Sequence, residues 1–175
     1  MSRHHGSRAS SGLSVLGSNV LPPDVDVGGL VTYKINVVFD CADPERLAQF
    51  WMLALPGYTF PTDPPDGFAT WDEWADAQQI PQEQRNTART IVDHARPDRP
   101  DIFFLKVPES KLAKNRVHLD VKVGGALSGA KRRQLIEQTA ARLTEAGAAI
   151  HRRVDGLEGF WLVLQDPEGN EFCLI

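Results

Sequence analysis

The strongest constraint on the fold is a run of two-residue alternation over residues 114–123, KNRVHLDVKV. Val117, Leu119, Val121 and Val123 make one face, and His118, Asp120 and Lys122 make the other. A period of two over this length specifies a half-buried β-strand, with its aliphatic face on a hydrophobic layer and its polar face toward water or a ligand. An earlier run over residues 33–40, YKINVVFD, has the same pattern: Tyr33, Ile35, Val37 and Phe39 alternate with Lys34, Asn36, Val38 and Asp40. Asn36 therefore holds the place in the first strand that His118 holds in the later one.

The two runs also lead into similar elements. After the first, Asp43 is a suitable N-cap and Pro44 a suitable first helical residue. Leu47, Phe50, Trp51 and Ala54 then recur at helical spacing, which predicts a helix over 44–55 stopped by Pro56 and Gly57. A strand is expected over 58–61, and two more over 90–94 and 101–107, joined by the turn residues RPDRP. After the second alternating run, Gly124 and Gly125 lead to a helix over 129–146, with Leu135, Ile136, Thr139 and Leu143 on one face and Gly147 as its stop. Residues 148–154, 160–165 and 171–175 supply three strands, the last two a hairpin about Asp166-Pro167-Glu168-Gly169-Asn170. Two consecutive βαβββ units of the same order result, so the fold class is α+β with an internal repeat.

Between the units' regular elements, residues 62–89 are polar and proline-rich, with a capping-box pattern from Thr70 to Glu73 that predicts a short helix carrying Trp71 and Trp74. A segment this long reads either as a lid over a binding site or as an insertion that its two tryptophans anchor by packing. The expected organisation is a disordered tail over 1–29 and one domain over 30–175, with module one at 30–108, the insertion at 62–89 and module two at 115–175. The tail is rich in Ser, Gly and Arg and has no periodicity, and its residues 13–21 are interrupted by Ser14, Gly17, Ser18 and Asn19, so no signal peptide is expected.

Composition narrows the partners. Among 175 residues, 42% are hydrophobic, enough for one core. A net charge of -4 gives no electrostatic footprint for nucleic acid, and no apolar stretch approaches the ~20 residues that span a bilayer. Cys41 and Cys173 are far apart without CxxC spacing, so neither a disulfide framework nor a cysteine-based zinc site is expected, and a cytoplasmic setting is the default. His4 and His5 in the tail read as incidental, or as adventitious metal binders.

The paired units, together with DCADPERLAQFW (40–51), VPESKLAKNRVHLDV (107–121) and the closing QDPEGNEFCLI (165–175), resemble the vicinal-oxygen-chelate superfamily of glyoxalases, bleomycin-resistance proteins and extradiol dioxygenases, and within it the glyoxalase-like domain. The resemblance implies two βαβββ modules forming cupped mixed sheets around a cavity, often with a divalent metal held by the first and last strands of each module. Carried onto this chain, those four positions are Asn36, Phe104, His118 and Cys173, or Phe103 or Leu105 if the third strand is shifted by one residue. Only His118 is a customary ligand. A lone His-Cys pair falls short of the ~3 to 4 protein ligands typical of zinc, so no cofactor is expected and a divalent metal is the minority alternative.

Two functions of different class remain. One is a small-molecule binding protein without the usual metal, with Asn36, Phe104, Trp161, Cys173 and Arg116 contacting the ligand. The other is a lyase or isomerase in which His118 and Asp120 act as an acid-base pair, or in which a non-standard metal site operates. His118 and Asp120 also read as a polar pair satisfied at a sheet edge, since residues i and i+2 on a strand lie about 7 Å apart. Lys111, Lys114 and Arg116 suit either the mouth of a site for an anion or a solvated loop, and Cys173 either a reactive thiol or a small apolar filler. A homodimer is an option that paired modules leave open.

Overall fold

The computed structural model describes residues 34–175; the tail, the expected start of module one and Tyr33 lie outside them. The first unit consists of β1 (Val37–Cys41), α1 (Pro44–Ala54), β2 (Ala88–Ile91) and β3 (Ile102–Lys106), with sheet order β1-β3-β2. The insertion contributes α2 (Trp71–Ala77) and a short 3-10 turn, Gln82–Gln84. The second unit consists of β4 (Leu119–Val121), α3 (Gly129–Glu145), β5 (Ala149–Gly156), β6 (Gly159–Gln165) and β7 (Glu171–Leu174), in the order β4-β7-β6-β5. In each sheet the first strand runs parallel to the last, and every other pairing is antiparallel. The architecture is α+β, two mixed sheets each backed by a helix.

Three expected strands are shorter than the sequence suggested. The strand expected at 58–61 is a single antiparallel bridge, Thr59 to Val92. Pro61, Pro64 and Pro65 follow it, and a proline cannot donate to a ladder. β1 begins at Val37, whose N–H reaches Asp101 O at 3.0 Å, and Asn36 stands ahead of the ladder. β4 is reduced to Leu119–Val121, because Asn115 N donates to the Glu171 side chain and draws the chain away from β7's backbone. Val117, expected on the inward face, is 78% exposed.

Helices form where capping and periodicity agree. Asp43 caps α1 by accepting from Arg46 N at 3.2 Å, and α3 ends with Gly147 at φ +106°, where Gly147 N reaches Thr144 O and Ala148 N reaches Leu143 O. That left-handed residue satisfies two otherwise unpaired carbonyls at no steric cost. Leu47, Phe50, Trp51 and Ala54 of α1 and Ile136, Ala140 and Leu143 of α3 enter one continuous core. Trp51 joins the two units: its ring lies 4.9 Å from Phe39 of β1 and 5.1 Å from Phe172 of β7. Its indole N–H donates to Asp166 Oδ2 at 3.2 Å, so the buried polar atom is satisfied by the β6–β7 turn.

The N-cap half of the predicted capping box forms, as Thr70 Oγ1 accepts from Glu73 N, while the Glu73 carboxylate reaches one residue past the cap to accept from Ala69 N. Arg85 folds back to pair with Asp72 and Asp76. Beyond it, Asn86 accepts from Glu45 N at 3.0 Å and donates to Asp43 at 2.8 Å, which ties the segment to the start of α1.

Candidate functional site

Strand parity decides which side chains turn away from the helices. In the second sheet, Leu119, Val121, Leu162, Leu164, Phe172 and Leu174 pack toward α1 and α3. The opposite, open face therefore carries Asp120 of β4, Glu171 and Cys173 of β7, Trp161, Val163 and Gln165 of β6, and Arg152 of β5. His118 stands one residue before β4, on the same side as Asp120.

On this face three chemically different donors converge. Asp120 is directly opposite Cys173 in the parallel β4–β7 ladder, and His118 Nε2 lies 3.5 Å from Asp120 Oδ1. Ligand atoms of His118, Asp120 and Cys173 all fall within 4.8 Å of one another. The 7 Å that separates i and i+2 on a strand is thus closed by side-chain rotation. His118 and Asp120 are about half exposed, whereas Cys173 is buried. Burial, then the charge of Asp120 and a hydrogen bond to it, push the Cys173 thiol up to about 11; Arg152 and Lys114 pull weakly the other way. At neutral pH Cys173 is therefore a thiol that donates to Asp120.

One end of the face is closed by the connection between the units. Glu171 is buried and accepts from Asn115 N at 3.0 Å, with Lys111 Nζ at 3.2 Å and Gln165 Nε2 at 3.5 Å. Burial alone would raise its pKa, but the bonds from Asn115 and Lys111 outweigh that and hold it at about 2. Lys111, Leu112, Lys114, Gln165 and Glu171 border a shallow hollow of about 310 Å³ at this end. A second hollow of about 420 Å³ lies on the helix side, where Arg133 covers the Phe160 ring and pairs with Asp155.

The structure sorts the residues named from the sequence. His118, Asp120 and Cys173 come together, and Trp161 shares their face. Arg116 is exposed on the strap that leads to His118. Asn36 is exposed ahead of β1, in the other sheet. Phe104 does not line the open face: it is fully buried and stacks on Phe39 at 5.6 Å between sheet and helix. Its parity places Phe103 and Leu105 on the open side instead, and neither has a lone pair to offer a metal. Arg152 was missed, because a bulge between Ile150 and Arg152 sets β5's parity. Glu171 was also missed as a buried, ionised group; its place two residues before Cys173 was the available signal.

The donor set fits a divalent metal better than the His-Cys pair counted in the sequence. Asp120 supplies a third ligand, and three protein ligands with an open position form a workable coordination set for a divalent cation. An imidazole, a carboxylate and, once a bound metal displaces the Cys173 proton, a thiolate are each customary donors.

No curated protein matches the chain in sequence. Among solved structures, the chain is similar to a glyoxalase/bleomycin resistance protein/dioxygenase family enzyme from Burkholderia phytofirmans PsJN, at 14% identity and TM-score 0.52, covering 79% of this chain and 94% of that one. It is similar to the fosfomycin resistance protein FosX from Mesorhizobium loti, at 12% identity and TM-score 0.51, covering 83% and 91%. It is likewise similar to a variant of FosX from Listeria monocytogenes complexed with Mn(II) and 1S,2S-dihydroxypropylphosphonic acid, at 7% identity and TM-score 0.53, covering 83% and 92%. At these identities the likeness concerns the fold. The profile of the glyoxalase-like domain matches residues 36–175, from the approach to β1 to the last residue, and the chain belongs to that family, within the vicinal-oxygen-chelate superfamily.

Proposed function

We propose that the protein binds a small organic anion on the open face of the second sheet, with His118, Asp120 and Cys173 as its polar centre and Trp161 as an apolar wall. The observation that carries this reading is the convergence of the three donors on a half-exposed face. Lys114 and Arg152 stand against the charge of Asp120 near Cys173, and the negative charge of Glu171 is already taken by Lys111. Small carboxylates and phosphonates are suitable probes, propylphosphonate first, because a FosX neighbour holds a hydroxylated phosphonate of similar size. Titration calorimetry should show saturable binding that His118→Ala weakens about tenfold or more, the worth of a hydrogen bond to a charged group. No binding of any probe, or binding indifferent to His118→Ala, sinks the reading.

A second reading rests on the 3.5 Å approach of His118 to Asp120: a lyase or isomerase with this pair as acid and base. His118→Ala would then lower turnover by roughly 100-fold or more with the fold kept. A metal held by the three donors would polarise a substrate oxygen or a bound water. Binding is favoured because both side chains stand half in water, whereas proton transfer gains from a site that excludes it.

A further inference from the structure

We infer that His118, Asp120 and Cys173 form a self-contained site for a thiophilic divalent cation, zinc in class and not manganese or magnesium, built entirely on the second sheet. The inference deepens the binding site proposed above and rests on the same face being the functional one. Its first support is geometric. The register sets Asp120 and Cys173 opposite each other on paired strands, and His118 two residues earlier turns back to meet them, so that three donor atoms lie within 4.8 Å. A four-coordinate cation with metal–ligand distances of roughly 2.0 to 2.3 Å holds its ligands about 3.3 to 3.8 Å apart; the 3.5 Å between His118 and Asp120 already meets this, and small side-chain rotations bring in the third donor.

The second support is what the first sheet lacks. The four-position arrangement implied by the resemblance draws ligands from both modules. Here the third-strand position falls among Phe103, Phe104 and Leu105, and Asn36 stands ahead of its ladder. Asp120 supplies from β4 the donor that the first sheet does not. The third support is chemical: a set of one imidazole, one carboxylate and one sulfur suits a borderline metal, whereas magnesium and manganese favour oxygen. The half exposure of His118 and Asp120 leaves a coordination position facing solvent.

The test uses the full-length chain carrying His4→Ala and His5→Ala, stripped with a chelator and titrated with cobalt(II), whose absorption reports both coordination number and sulfur ligation. Binding of one equivalent is expected, with visible bands of four-coordinate intensity and a sulfur-to-cobalt charge-transfer band in the near ultraviolet. Cys173→Ser should abolish that charge-transfer band. His118→Ala, a change at a half-exposed position that the fold tolerates, should weaken cobalt binding about tenfold or more, at least the loss seen when a ligand's supporting partner is removed. Zinc should displace cobalt stoichiometrically, and manganese in large excess should not. Absence of the charge-transfer band, its persistence in Cys173→Ser, or displacement by manganese overturns the inference. Propylphosphonate binding in the presence of chelator, without a cobalt spectrum, would defeat the metal site and leave the binding reading intact. A cobalt spectrum with no anion binding would do the reverse.

Discussion

The two sheets share a topology and differ in what their open faces carry. In each, a first strand runs parallel to a last, a helix covers one side, and the other side is left open. The first sheet presents Val38, Asp40, Phe103 and Leu105 there, with Val38 and Leu105 exposed. The second presents His118, Asp120, Cys173, Gln165 and Glu171, the last of them ionised and fastened to the strap that joins the units. A duplicated scaffold has thus kept its helix-facing half in both copies and concentrated its polar chemistry in one. The inward side of each sheet is fixed by the need to bury apolar area, while the open side is free to diverge.

The largest effect expected comes from where the halves are joined. Trp51 fills the space between Phe39 and Phe172 and donates to Asp166, so Trp51→Ala should remove about 3 to 5 kcal/mol of stability, the range for deleting a buried large aromatic. Urea unfolding followed by far- and near-ultraviolet circular dichroism should show a single transition at lower denaturant. Two separated transitions in the parent chain would break the comparison at its root, since the halves would then be independent units and not two faces of one core.

Much of this architecture was legible because it is written locally. Asp43 before Pro44, the spacing of Leu47, Phe50, Trp51 and Ala54, and Gly147 after the second helix gave both helices to within a residue at either end. Strand ends were less legible, because a strand lasts only while its neighbour offers donors and acceptors. Pro61 and the side chain of Glu171 decide that at two places. In the site, alternation identified His118 and Asp120 and the family resemblance added Cys173, but their convergence depends on the β4–β7 register, which no single strand encodes. Phe104 was misplaced for the same reason, since a shift of one residue exchanges the two faces of a strand.

A middle-sized effect tests the strap. Glu171→Gln keeps the shape but removes the charge that Lys111 and Asn115 N serve, and should cost about 1.5 to 3 kcal/mol, the worth of hydrogen bonding to a charged group. The loss should depend on pH in a set direction. The native carboxyl titrates at about 2 against an ordinary 4.5, so its contribution is fully present above 4.5 and fades as the pH falls toward 2. The gap between parent and variant should therefore close over that window in urea titrations. A gap that stays constant from pH 6 to 3 would show that the strap is held by shape alone.

The smallest effect is the sharpest test of asymmetry. Asn36 and His118 hold matching places ahead of their first strands, and both are exposed. If the chemistry is confined to the second sheet, Asn36→Ala should change propylphosphonate affinity by less than about twofold and stability by no more than about 0.5 kcal/mol, as for other exposed positions without a special contact. His118→Ala should weaken the same binding tenfold or more. Comparable losses from the two substitutions, measured by calorimetry on the same preparation, would mean that a residue of the first sheet reaches the ligand. The site would then draw on both sheets, and the scarcity of donors on the first would reflect a different division of labour: an amide there to orient the anion, with the imidazole, carboxylate and thiol opposite to bind it.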